Sequence, residues 1–192
     1  MWDNKEFQIQ MFGINEKGET ACILATDFKP FFYVQVSDTW TQGTKQAFIG
    51  DLKKFIGPYY EESIVSSEIE SHKKLYGFDA GKKHKFIKIE FHSIGAFNKA
   101  KKMWYDDKKN EDGEFERVLK PKGLIIDSSP TFLYEAQIPP LLRMFHIKEI
   151  SPSGWVEINT DDVVLNKTKK TTCTYEYIIH YNKISPMPNK ET

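Results

Sequence analysis

From Phe31 to Ile126 the apolar residues change their period in a set order, and that order narrows the possible folds more than any other feature of the chain. Phe31-Phe32-Tyr33-Val34-Gln35-Val36 is too rich in aromatic and β-branched side chains to be anything but a strand. Phe48, Leu52, Phe55 and Ile56 then fall at helical spacing, between Thr44 as a candidate N-cap and the stop signal Gly57-Pro58. Strands are predicted near Ser63 to His72 and Phe86 to Phe91, on either side of a turn at Gly77 to Lys85. A second helix opens at Ser93 and carries Ala96, Phe97, Ala100, Met103 and Trp104 on one face. The charged segment from Asp106 to Lys122 reads as an exposed loop, and Leu124-Ile125-Ile126 as a short closing strand.

Strand, helix, strand, strand, helix, strand is the split β-α-β arrangement of ferredoxin-like and RNA-recognition-type folds. Around it lie further strands. Phe7, Ile9 and Met11 alternate with polar residues, Asn15-Glu16-Lys17-Gly18 turns the chain, and Ala21 to Ala25 returns as the second arm of a hairpin. Pro139-Pro140 starts a helix carrying Leu141, Leu142, Met144 and Phe145, since proline is tolerated in a first turn. Trp155 to Ile158 and Cys173 to Tyr181 read as strands. The expectation is an α+β chain with two lobes: residues 1–30 plus 130–184 as a β-rich, OB-like lobe, and residues 31–128 as the split β-α-β lobe.

The 192 residues are enough for a real core, and 14 Phe, 9 Tyr and 4 Trp argue for a globular rather than a disordered chain. The first residues lack a signal-peptide core and no stretch is long and apolar enough to span a bilayer, so the expectation is a soluble, intracellular protein without a membrane partner. Cys22 and Cys173 stand far apart with no CxxC, and His72, His84, His92, His146 and His180 have no ligand-like spacing, so no metal site is expected. Asp112-Gly113-Glu114 has the letters of a nuclease motif but sits in a hydrophilic run, and Asp161-Asp162 is one acidic pair in a turn-like setting; no catalytic residue is assigned to either. Gly77 to Lys83 is one residue short of a phosphate-binding loop and has Lys83 where the hydroxyl residue belongs. There is no Gly-x-Ser-x-Gly elbow.

The formal net charge is zero, so the basic residues matter by their grouping. Only Arg117 and Arg143 are arginines; the rest of the 27 basic residues are lysine, which meets phosphate as a point charge and suits backbone holding better than base reading. Lys82, Lys83, Lys85 and Lys88 recur within one segment and read either as solvated surface or as a hairpin that contacts phosphate. Tyr33 shares a strand face with Phe31, and Phe86 shares one with Lys88, so these residues either form a base-stacking platform or pack in a core, the commoner fate of strand aromatics. Arg143, on an apolar helix, is expected to pair with Glu135, with a phosphate contact as the functional alternative.

Three segments resemble one family. Phe28-Lys29-Pro30-Phe31-Phe32-Tyr33-Val34 is similar to an early strand of the family B DNA polymerases, and Leu75-Tyr76-Gly77-Phe78 with Phe86-Ile87-Lys88-Ile89 to their next signature. Leu133-Tyr134-Glu135, Leu142-Arg143-Met144-Phe145 and Gly154-Trp155-Val156-Glu157 resemble the block just upstream of the exonuclease domain in polymerase delta and the polymerases of large DNA viruses. Gln137 in place of Asn, and Met144-Phe145-His146 in place of a Phe-Met pair, depart from that pattern. The likeness runs from Phe28 to Ile184, and the lysine-rich composition leans toward a giant-virus member. It makes Pro30, Tyr134, Glu135, Arg143 and Trp155 structural-motif residues. It implies a non-catalytic N-terminal domain, with residues 185–192 as linker toward an exonuclease domain. The implied partners are template DNA with a single-stranded 5′ overhang and the exonuclease and palm domains of the same polypeptide, and no small molecule is expected in this segment. The whole polypeptide would copy DNA and proofread it 3′ to 5′ with Mg2+, in the nucleus or a cytoplasmic viral factory. The rival readings are a stand-alone module that binds single-stranded nucleic acid, and a small enzyme, which a pocket of convergent polar groups would favour.

Overall fold

The computed structural model describes residues 6–74, 81–109 and 113–187. Along the chain these form strands β1 (Ile9–Ile14), β2 (Thr20–Thr26) and β3 (Phe31–Val36), helix α1 (Gln42–Ile56), strands β4 (Ile64–Lys73) and β5 (Lys83–Phe91) and helix α2 (Ile94–Lys101). Strands β6 (Tyr105–Lys109), β7 (Phe115–Leu119), β8 (Leu124–Ile126) and β9 (Ser129–Tyr134) follow, then helix α3 (Pro140–Lys148) and strands β10 (Val156–Ile158), β11 (Val164–Leu165), β12 (Tyr175–His180) and β13 (Ile184–Pro186). The chain is α+β and divides into two compact units, one of Lys29–Gln137 and one of Glu6–Phe28 with the described residues from Ile138 onward.

The first unit holds a five-stranded antiparallel sheet in the order β4-β5-β3-β9-β8. Alternation along β3 sends Phe32, Val34 and Val36 to one face, where Ile87, Ile89 and Phe91 of β5 join them. The helices supply Phe48, Leu52 and Ile56 from α1 and Ala96, Phe97 and Ala100 from α2 to the same cluster. Phe32 lies at its centre, meeting Phe91, Phe97 and Trp104 at centroid distances of 5.2, 5.6 and 6.1 Å. The indole of Trp104 donates to Thr131 Oγ1 (3.1 Å), whose hydroxyl donates to the Leu124 carbonyl (2.8 Å), so these two buried polar groups satisfy one another and the backbone.

The split β-α-β arrangement is present, with corrections. Its fourth strand is β9, which pairs with β3 through Tyr33 and Tyr134, whereas Leu124–Ile126 forms the outermost strand β8. Asp127 and Ser128, at φ 47° and 59°, make the tight turn between them; such a turn is usually marked by Asn-Gly or Asp-Gly, and that signal is lacking here. Because β9 belongs to this sheet, the unit ends at Gln137 and not near residue 128. The segment read as a loop, Asp106 to Lys122, instead contains the hairpin β6–β7, whose register sets Asp107 against Arg117 and Lys108 against Glu116. A ribbon exposed on both faces shows no apolar alternation, so its strands leave no period in the sequence. Helix α1 is capped by Thr41, whose hydroxyl accepts from the Thr44 amide, and Phe55 is exposed rather than on the buried face.

In the second unit β1 and β2 form an antiparallel hairpin, β12 adds parallel to β2, and β11 adds antiparallel to β12; β10 and β13 make a separate ribbon. The unit is β-rich as expected, but its sheets are open rather than closed into an OB barrel among the described residues. Ile9, Cys22, Leu24, Ala25, Phe28, Ile179 and Ile184 are buried there. Pro140 occupies the first turn of α3, on which Arg143 and Met144 are buried while Leu141, Leu142, Ile147 and His146 are exposed. No helix among the described residues is long and apolar enough to cross a membrane.

Candidate nucleic-acid interface

The strands β4 and β5 run in a register that sets His72 opposite His84 and Lys73 opposite Lys83 at the end of their hairpin, with Lys74 and Lys82 beside them. Like charges directly opposite one another weaken a strand pair, so such a tip gains from an anion that neutralises it. Among the described residues, Lys82 lies 3.8 Å from Asp38 Oδ2, both side chains more than 60% exposed, and His72 Nε2 meets Glu70 Oε2 at 2.5 Å. An ion pair that open to water contributes little. Residues 75–80, with most of the phosphate-loop-like run and the Tyr76-Gly77-Phe78 motif, lie outside the described residues.

The four lysines singled out from the sequence separate into two pairs. Lys82 and Lys83 lie at the exposed end of the hairpin. Lys85 Nζ instead donates to the Asp38 and Trp40 carbonyls (2.6 and 2.8 Å), which ties the β3–α1 connection to the sheet. Lys88 Nζ pairs with Glu90 Oε1 at 2.6 Å and lies 4.5 Å from the centroid of the Phe31 ring. Burial by itself would lower the Lys88 pKa, but the Glu90 carboxylate holds it above the usual lysine value; burial would raise Glu90, and hydrogen bonds from Lys88 and Ser66 hold it below the usual carboxylate value. Lys73 and Lys74, which the sequence reading did not select, complete the basic tip. Their signal was their place before the turn, mirroring Lys82 and Lys83 after it.

Tyr33, Phe31, Phe86 and Lys88 do share one face of the sheet, the face away from α1 and α2. Phe31 and Phe86 are only 8% and 4% exposed, because Tyr33 meets both edge-on at 5.6 and 6.3 Å and Tyr134 covers Phe86 at 5.2 Å. The cluster therefore packs as aromatic strand residues usually do, with Tyr33 and Tyr134 as its half-buried outer members.

Pro30 is buried and its carbonyl accepts from the Phe91 amide (2.8 Å), which joins the start of β3 to the end of β5. Glu135 is exposed in left-handed backbone (φ 57°) after β9, in the first unit, whereas Arg143, 8% exposed, belongs to the second. Trp155 is 37% exposed and its carbonyl accepts from the Met187 amide. Asp161 and Asp162 lie in a short 3-10 turn capped by Asn159, and Asp162 pairs with Lys183 at 3.1 Å. No three His, Cys, Asp or Glu residues converge on a metal-sized site among the described residues.

No family model matches the chain. It is 52% identical over 182 residues to a DNA polymerase of Phaeocystis pouchetii virus, covering 95% of this chain and 17% of that protein. It is 26% identical to a DNA polymerase of Acanthamoeba polyphaga mimivirus (98% of this chain, 11% of that one) and 23% identical to the DNA polymerase delta catalytic subunit of Schizosaccharomyces pombe (97% and 17%). The chain thus spans between 11% and 17% of the length of these relatives. The family B DNA polymerase of the hyperthermophilic archaeon Pyrobaculum calidifontis shares its fold with a TM-score of 0.52 at 14% identity, over 97% of this chain and 21% of that one.

Proposed function

Because the chain belongs with the N-terminal region of the family B DNA polymerases, we propose that it is a non-catalytic lobe that holds template DNA for centres located elsewhere in a longer polypeptide. The observation that carries this reading is the basic tip of the β4–β5 hairpin, where Lys73 faces Lys83 and His72 faces His84. A strand of phosphates supplies the opposite charge in a row, and point-charge lysines hold it without reading bases. In this reading Arg143 and the Tyr134-Glu135 and Trp155 segments scaffold the lobe against the exonuclease and palm domains, and the template is a single-stranded 5′ overhang. Synthesis and proofreading belong to the longer polypeptide, at the host nucleus or a cytoplasmic viral factory. The Mg2+ such chemistry uses has no matching donor set among the described residues, so no catalytic step is assigned to this chain.

Binding of the chain to single-stranded DNA, measured against salt, tests the proposal. Each phosphate contact contributes roughly −0.7 to the slope of log K against log salt, so K73Q/K82Q/K83Q is expected to reduce the slope by about 2 while the fold stays intact. An unchanged slope sinks the hairpin as the contact. Submicromolar binding by the chain alone would instead favour a free-standing single-strand-binding module.

A further inference from the structure

The face of the five-stranded sheet turned away from α1 and α2 has two unlike halves. On its β4–β5 side the acids are engaged: Glu70 meets His72 at 2.5 Å, Glu90 meets Lys88 at 2.6 Å, and Glu68 lies opposite Lys88 in the register. On the other side the register sets Tyr33 and Gln35 of β3, Pro130, Phe132 and Tyr134 of β9 and Ile125 of β8, and none of these is acidic. Ile125, Pro130 and Phe132 are exposed and adjacent, since Pro130 stands opposite Ile125 and two residues before Phe132. Gly123 lies against Phe132 at φ 72°, and a Cβ there would stand 2.9 Å from Phe132 Cε1 and 2.5 Å from the Thr131 carbonyl oxygen, so only glycine lets the ring rest on the backbone. The ring is thus held against the chain while the residue stays open to solvent. Lys74 brings the charge of the hairpin tip over the same face, its Nζ 5.9 Å from the centroid of the Tyr134 ring. Gln35, half-buried opposite Phe132, has a side-chain amide that no described residue bonds.

Single exposed apolar residues are ordinary on a protein surface. A held aromatic ring, an unbonded amide and a cation on one surface without acids go further, because together they match a nucleotide: a ring for the base to stack on, a donor and acceptor for its edge and a point charge for its phosphate. We propose that the β3–β9–β8 face carries a base of single-stranded DNA stacked on Phe132, with Gln35 at the edge of the base and Lys74 at a flanking phosphate. The proposal rests on the reading of this lobe as a holder of template, and adds what becomes of the bases. The hairpin tip lies at the right end of the sheet for one DNA strand to meet both, since Lys85 stands opposite Val36 and Phe132 opposite Gln35. Every base has a π-face, so stacking there holds DNA with little preference for sequence.

Fluorescence anisotropy of the chain with a labelled oligothymidine, and with an abasic strand of the same length, separates bases from phosphates. F132A is expected to weaken oligothymidine binding on the order of tenfold, and to leave its salt slope and the affinity for the abasic strand unchanged. F132W is expected to stay within about threefold of the unsubstituted chain, and F132L, which keeps apolar cover over Gly123 but has no ring, to lose as much as F132A. K73Q/K82Q/K83Q has the opposite signature, a reduced salt slope on both strands. The two ideas therefore fail separately. An F132A that binds oligothymidine as tightly as the unsubstituted chain overturns the stacked base, whatever the lysine variant does, and leaves the face to a protein partner. A weakened F132A beside an unchanged slope in the lysine variant supports the stacked base and removes the hairpin. An equal loss on the abasic strand, or an F132L that binds normally, overturns the proposal, because the ring then does not act by stacking. An unsubstituted chain that binds neither strand overturns the template reading and the stacked base with it. If F132A lacks a cooperative thermal transition, F132L and Q35A take its place; Q35A is expected to weaken oligothymidine binding about threefold and abasic binding not at all, and unchanged oligothymidine binding by both folded variants overturns the site.

Discussion

Glu176 is fully buried on a sheet whose other buried side chains are apolar, and its partners explain how it stays there. Its carboxylate accepts from the backbone amides of Lys170 and Thr171 (3.0 and 3.1 Å) and from the Asn166 side chain, so one ionised group organises the loop between β11 and β12. Burial would raise its pKa, but these hydrogen bonds hold it below the usual glutamate value. A depressed carboxylate contributes stability that is fully present above the unfolded-state pKa, about 4.3, and is lost as pH falls through the folded value. Stability is therefore expected to fall on acidification below about pH 4.3, and Glu176→Gln to flatten that acid limb in urea titrations at stepped pH; an unaltered limb would show that the charge is not what holds the loop. Phe32 is the apolar counterpart, with no exposed surface and three ring neighbours. Phe32→Ala is expected to cost about 3–5 kcal/mol, read as a lower denaturant midpoint with the m value unchanged. Strand alternation was enough to find Phe32. Nothing local marked Glu176, because its burial depends on a loop folding back over it.

Helix α1 shows how an element can be legible while its end is not. Its buried residues Phe48, Leu52 and Ile56 stand at helical spacing, but the N-cap is Thr41 and not Thr44 as expected: Thr41 is extended (φ −109°, ψ 177°) and its hydroxyl accepts from the Thr44 amide. Thr41→Ala is expected to cost about 1 kcal/mol and Thr44→Ala less than about 0.5, measured by thermal or urea unfolding; the reverse ranking would refute the cap. The β4–β5 hairpin carries the same lesson into the candidate site. The lysine run was plain in the sequence, but strand register determines which lysines reach solvent. Lys85 is drawn to two carbonyls and Lys88 to Glu90, while Lys73, from the opposite strand, comes to face Lys83.

Across the whole molecule the two units differ in how the chain enters them. The first is continuous from Lys29 to Gln137 and contains every residue of its main apolar cluster, whereas the second needs both flanks, since β12 pairs in parallel with β2. A fragment of residues 29–137 is therefore expected to fold alone, with a cooperative thermal transition and dispersed amide NMR signals. Removing residues 1–28 from the full chain is expected to leave β12 without its parallel partner and to promote aggregation through that open edge, seen by light scattering. A molten 29–137 fragment would show that its core depends on the second unit. By itself the sequence determined the class of the chain, the alternation of β3 and β5, the apolar stripes of both covering helices and the segments that carry the family likeness, because each is written in the spacing of residues close in the chain. The tertiary structure alone decided that β9 and not β8 pairs with β3, that the β-rich unit stays open, that Glu176 is buried and which lysines of the β4–β5 hairpin reach solvent. These outcomes depend on which distant segments meet, and burial and charge pairing are properties of that meeting rather than of any short stretch of residues.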